Sequence, residues 1–148
     1  MSHIVVKKGD IKNLAALQMA CERLGLDMVE GAAYEYEPRQ HGHDAKYVIK
    51  TRPGTCNLGG SWAPQEIGVI EDKNGTYSLA MSPMSGGITS IVGEPLYEKG
   101  ENIPAPTLLM NYQMCNVALE ARKQGHEIEF FTDPLGLQRA RVRQPEYA

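Results

Sequence analysis

Nowhere in the 148 residues do about 18 apolar side chains run together, which is the length a helix needs to cross bilayer hydrocarbon. Membrane spanning is not expected, and Met1 to Lys8 lacks both the apolar core and the small-residue cleavage pattern of a secretory leader. Cysteine is sparse: Cys21, Cys56 and Cys115 are odd in number, far apart and never in a Cys-x-x-Cys pair. That pattern indicates neither a disulfide framework nor a zinc knuckle, and it points to a reducing, cytoplasmic home. Positive charge is not in excess either, with 15 Lys and Arg against 18 Asp and Glu and a net charge of -3. A dedicated duplex-DNA binder needs a cationic surface, so nucleic acid is not an expected partner. No Walker loop or dinucleotide fingerprint is present, no cofactor is implied, and no nucleophile has a base-and-orienter pattern near it. The chain is not expected to be an enzyme.

What is present is the composition of an ordinary globular protein, 42% hydrophobic and 22% charged, at a length suited to a single domain spanning 1–148. Two stretches share one grammar of amphipathic helix, glycine, strand. Leu14, Leu17, Cys21 and Leu24 fall on one helical stripe that ends at Gly25, and Leu108, Tyr112, Cys115 and Leu119 repeat the spacing before Gly125. Asp10 and Thr107 are the expected caps, following a first strand at His3 to Lys8. Strands are expected at Leu26 to Val29, continuing past Gly31 toward Tyr34 and Tyr36, and at Lys46 to Lys50. Ile67–Ile70 and Thr76–Met81 flank Asp72-Lys73-Asn74-Gly75, a hairpin signal because Asn and Gly tolerate positive φ.

A terminal hairpin around Asp133-Pro134-Leu135-Gly136 is expected to put Glu127, Glu129 and Phe131 on one face with Leu137, Arg139 and Arg141. Ile128, Phe130, Ala140 and Val142 then share the other face. Residues 51–66 and 82–106 read as long loops, the second holding Pro83, Gly86, Gly87, Gly93, Pro95, Gly100 and Pro104, with at most a short strand at Ile88 to Val92. The order of elements predicts an α+β fold, a mostly antiparallel sheet covered on one face by two helices.

Met1-Ser2-His3, Ile11-Lys12, Leu14 to Leu17 with Leu24-Gly25-Leu26, the Gly75-Thr76-Tyr77 hairpin, and Asn111-Tyr112 followed by Ala121 and Gln124-Gly125 together form a pattern. It resembles the chloroplast open reading frame thirty-five family, a domain of unknown function found in algal plastids, cyanobacteria, other bacteria and phages. The resemblance implies a small soluble α+β protein, and the expected source is a bacterium or phage. It transfers no catalytic residue.

Candidate chemistry lies in the loops. His41-Gly42-His43 with Cys56 offers metal-ligand types at a spacing that matches no established site, so a solvated loop is the preferred reading and no metal is expected. Cys21 and Cys115 lie on the helical stripes and are expected in the core. Asn57-Leu58-Gly59-Gly60-Ser61 and Ser85-Gly86-Gly87-Ile88-Thr89 are the places where backbone amides could approach an anion closely. Trp62, the single tryptophan, and Arg52 flank the first loop. Arg139, Arg141 and Arg143 line one face of the last strand, where Glu127 and Glu129 are expected to neutralise part of the row and leave Arg143 available. The expected function is a non-enzymatic binding protein that holds a small polar or nucleotide-like ligand through Arg52, Trp62, Ser85, Gly86, Gly87, Thr89 and Arg143. The alternative is a protein-interaction or assembly subunit, homo-oligomeric or partner-binding, that uses the same loops.

Overall fold

A computed structural model describes residues 5–30, 45–52, 66–81, 86–136 and 138–143. The elements in chain order are β1 (Val5–Ile11), α1 (Leu14–Arg23), β2 (Leu26–Glu30), β3 (Tyr47–Thr51), β4 (Glu66–Glu71), β5 (Tyr77–Met81), α2 (Gly86–Val92), β6 (Leu96–Glu98), β7 (Glu101–Ile103), α3 (Pro106–Lys123), β8 (Glu127–Thr132) and β9 (Gln138–Arg143). Five strands form an antiparallel sheet in the order β1-β5-β4-β3-β2, and β6-β7 and β8-β9 form two separate hairpins. This is the expected α+β fold, with three helices among the described residues where two were expected.

The register puts Leu26, Ile49, Ile67, Val69, Leu79 and Met81 on one face of the sheet. These side chains form a single core with Leu17, Ala20 and Cys21 of α1, Ile88 and Val92 of α2, and Leu108, Tyr112 and Cys115 of α3. Val48, Ser78 and Ala80 lie on the opposite face and are buried as well. The central strands therefore read as unbroken apolar runs, Val48-Ile49 and Leu79-Ala80-Met81, and not as strict alternation.

Both long helices end as their glycines dictate, with Gly25 at φ 73° and Gly125 at φ 82°. Their starts differ from expectation. β1 pairs with β5 as far as Ile11, across an irregularity between Lys7 and Ile11, so Asp10 belongs to the strand and Asn13 caps α1 by accepting from the Ala16 amide at 3.3 Å. Ala105, buried at φ 48°, precedes α3 with Pro106 at its first position, so Thr107 is inside the helix and not its cap.

The hairpin expected around Asp72–Gly75 is present and joins β4 to β5. Only Gly75 takes positive φ, at 78°, and the Asp72 carboxylate accepts from Ser78 Oγ at 2.7 Å, which holds the turn. Among the described residues, adjacent turn positions with positive φ occur in the β6-β7 hairpin, at Lys99 (φ 51°) and Gly100 (φ 80°).

The long loop expected at 82–106 is corrected most. Its glycines and prolines punctuate short elements, α2 and the β6-β7 hairpin. Ile88 to Val92 is helical because Ile88 and Val92, four residues apart, reach the core on one face of α2, which outweighs the β preference of branched residues. In the other expected loop, Thr51 ends β3 and Glu66 begins β4, and residues 53–65 lie outside the described set, as do 31–44.

Gly93 closes α2 at φ 94°, and a Cβ there would lie 2.8 Å from Pro106 Cγ and 2.9 Å from Thr107 Oγ1. Gly100 has a similar φ with open space around it. Gly100→Ala should cost about 1 kcal/mol, the left-handed penalty alone. Gly93→Ala should cost clearly more, about 2–3 kcal/mol, because α2 and α3 must also separate. Urea midpoints of the two variants check this, and equal losses would contradict it.

The Tyr112 hydroxyl accepts from the Lys12 and Asn13 amides, at 3.0 and 3.3 Å, at the junction of β1 and α1. Tyr112→Phe strands both donors and should lower stability by about 1–3 kcal/mol in the same assay.

Candidate functional site

The residues expected to hold a ligand are not gathered into one place. Trp62 and Ser85 lie outside the described residues. Gly86 and Gly87 form the first turn of α2, a helix of seven residues, and Thr89 is buried in it with a partner of its own. Arg52 sits beyond β3 and pairs with Asp27 of β2 at 3.0 Å. Arg143, expected to be available, donates to Glu129 Oε2 at 2.9 Å. The pairing follows from the twist and reach of the hairpin, in which Arg143 faces Glu127 in register yet reaches diagonally to Glu129. His41, His43 and Cys56 fall outside the described residues. Among the described residues no group of three His, Cys, Asp or Glu converges to hold a metal ion, and no helix is long and apolar enough to cross a membrane.

Among the described residues two clefts stand out instead. The first, of about 610 Å³, lies where α1 starts and is lined by Lys12, Asn13, Leu14, Gly75, Tyr77, Asn116, Glu120 and Lys123. Its polar groups are largely occupied with one another. Asn13 Nδ2 donates to Asn116 Oδ1 at 3.2 Å, and Lys123 pairs with Glu120 at 3.3 Å.

The second, of about 590 Å³, runs between α3 and the terminal hairpin. Met110, Gln113, Met114 and Val117 form its helical wall, spaced so that they share one face of α3. Met110 is 53% and Val117 57% exposed, on a helix whose opposite face buries Leu108, Tyr112 and Cys115. The other wall is Arg139, Ala140, Arg141 and Val142 of β9, with Phe131 of β8. Four consecutive residues of one strand line the groove, so both faces of β9, and the backbone edge between them, border it.

Apart from Leu137, which lies outside the described residues, the hairpin has the two faces expected of it: Glu129 opposes Arg141 and Phe131 opposes Arg139, while Ile128 opposes Val142 and Phe130 opposes Ala140. Arg23 of α1 lies 4.0 Å over the Phe130 ring and ties the apolar face to the helices. On the charged face Arg141 lies 4.8 Å over the Phe131 ring, and Arg139 pairs with Asp133. Glu129 is shared, with Arg143 at 2.9 Å and Arg141 at 3.7 Å. The Arg stripe was legible in the sequence. The Met110, Met114, Val117 stripe was not singled out, although its spacing of four and three marks a second apolar face beside the core stripe.

Burial pushes the Cys21 thiol up to about 12, with Cys115 adding to the effect, and burial raises Cys115 too, against the pull of Arg23 and Arg122. Both are free core cysteines, as their helical spacing implied. A raised thiol pKa favours the neutral, folded form below the unfolded value near 9, and this contribution fades as pH climbs from there toward 12. Peptide-resolved labelling with iodoacetamide at pH 8.5 should therefore leave Cys21 unmodified in the folded chain and modify it fully in urea.

No protein-family model, no curated protein and no solved structure matches the chain.

Proposed function

We propose that this chain is a non-catalytic docking protein whose α3–β9 groove receives a segment of another polypeptide. The observation that carries the reading is the exposed apolar stripe of Met110 and Val117 beside the aliphatic and guanidinium surface of β9. A second apolar face on a core helix, rimmed by arginines, is the composition of an interaction surface. Methionine suits such a surface because its flexible thioether adapts to different side chains. The free core thiols Cys21 and Cys115 support a reducing, cytoplasmic setting. The resemblance to the chloroplast open reading frame thirty-five family is compatible with this role and assigns no activity of its own.

The competing reading is a small polar or nucleotide-like ligand held in the Gly-rich loops. It is less favoured because Arg52, Thr89 and Arg143 are engaged by separate neighbours. Panning a random peptide library on phage against the full chain tests the choice. Selected peptides should bind wild type and lose about tenfold or more in affinity, roughly 1.4 kcal/mol, on Val117→Asp, whose exposed site leaves the thermal melt unchanged. Peptides indifferent to Val117→Asp, together with a nucleotide that raises the melting temperature, would overturn the groove in favour of the loops.

A further inference from the structure

From the edge geometry of β9 we infer that the groove's occupant is an extended segment with alternating acidic and apolar residues, added as a third strand to the β8-β9 hairpin. The inference rests on the docking role proposed above and specifies its partner. Among the described residues β9 pairs with β8 alone, so its other backbone edge offers amides and carbonyls to a further strand. That edge borders a groove whose far wall is the apolar stripe of α3.

A strand laid along β9 has its side chains divided between two faces by the pleat. On the face of Ala140 and Val142, the second of these 46% exposed, its side chains must be apolar to cover Met110 and Val117. On the other face they meet Arg139, Arg141 and Arg143 at a period of two, and acidic side chains answer that row. β8 already answers it from the opposite side, with Glu127 and Glu129 opposing Arg143 and Arg141 and Ile128 and Phe130 on the apolar face. Arg139 is paired with Asp133 and Arg143 with Glu129, so the demand for a further carboxylate centres on Arg141. The central Arg141 side chain is 54% exposed, and its carboxylate neighbour at 3.7 Å is shared with Arg143.

The same row argues against a second copy of this chain as the occupant. In any symmetric antiparallel pairing of β9 with itself that keeps the faces matched, arginine stands opposite arginine: Arg141 against itself with Arg139 against Arg143, or Arg139 against Arg141. Like charges directly opposed destabilise such a pair, whereas a strand carrying Glu or Asp at alternate positions satisfies it.

The test uses the full chain and a fluorescein-labelled synthetic peptide, Glu-Val-Glu-Val-Glu-Val, read by fluorescence anisotropy. The peptide should bind, and its analogue with Lys in place of each Glu should bind at least about tenfold more weakly. Methylating the amides along one edge of the peptide should abolish binding, while methylating those along the other should not. Arg141→Glu should invert the preference, weakening the acidic peptide and strengthening the Lys peptide, which a merely structural role for Arg141 would not do. If both charge forms, or both methylated forms, bind alike while Val117→Asp abolishes all binding, strand addition is overturned and the docking groove stands. If no peptide of the set binds, strand addition is overturned and the phage selection decides the groove independently. Self-association of the wild-type chain in sedimentation equilibrium, abolished by Val117→Asp, would replace the peptide with a second copy and overturn the inference.

Discussion

The packing of α1 against α3 over the five-stranded sheet is the contact on which the other elements rest, and the Tyr112 hydroxyl ties α3 to the start of α1. That oxygen accepts from two consecutive amides, Lys12 and Asn13, at the point where β1 ends and α1 begins. Edge strand, first helix and last helix are thereby joined at one buried position, far apart in sequence. Around it Leu17, Ala20 and Cys21 of α1 meet Leu108 and Cys115 of α3, and Asn13 also reaches Asn116. Once α3 is seated by this face its rotation is determined, and Met110, Met114 and Val117 are turned away from the core.

The terminal hairpin responds to that exposure only in part. β8 and β9 fold back along α3 and use Phe130, under Arg23, as the point of attachment. A two-stranded ribbon standing alone is marginal in water, so its packing on the helix supplies stability the ladder lacks. Even so, Met110, Val117 and Val142 remain about half exposed, and one edge of β9 has no strand beside it among the described residues. Apolar area of this kind stabilises whatever covers it, by about 25 cal/mol per Å² before the costs of association. An occupant of the proposed kind would bury this face together with the edge of β9.

Much of the scaffold was legible in the residues. The stripes Leu14, Leu17, Cys21 and Leu108, Tyr112, Cys115 located both long helices, Gly25 and Gly125 their ends, and side-chain alternation the register of the last hairpin. What escaped depended on tertiary context. Asp10 had the chemistry of a cap, but pairing with β5 drew it into β1. Ile88 to Val92 had the composition of a strand and became a helix because two of its side chains fit the core at helical spacing. The candidate site was less legible still. Arg143 could be placed on a face from the pleat, but its diagonal reach to Glu129 depends on three-dimensional hairpin geometry. The groove depends on where α3 lies relative to β9, which no local pattern encodes.

Among the described residues β9 has a backbone edge with no strand beside it, next to the half-exposed face of α3. Residue-resolved amide hydrogen exchange on the free chain addresses it directly. The account predicts fast exchange at every second amide of β9 and slow exchange at the amides of α3 that surround Tyr112, because the former face the groove and the latter are locked in the core. Uniform protection along β9, equal to that of α3, would mean that the edge is already paired and would contradict the account.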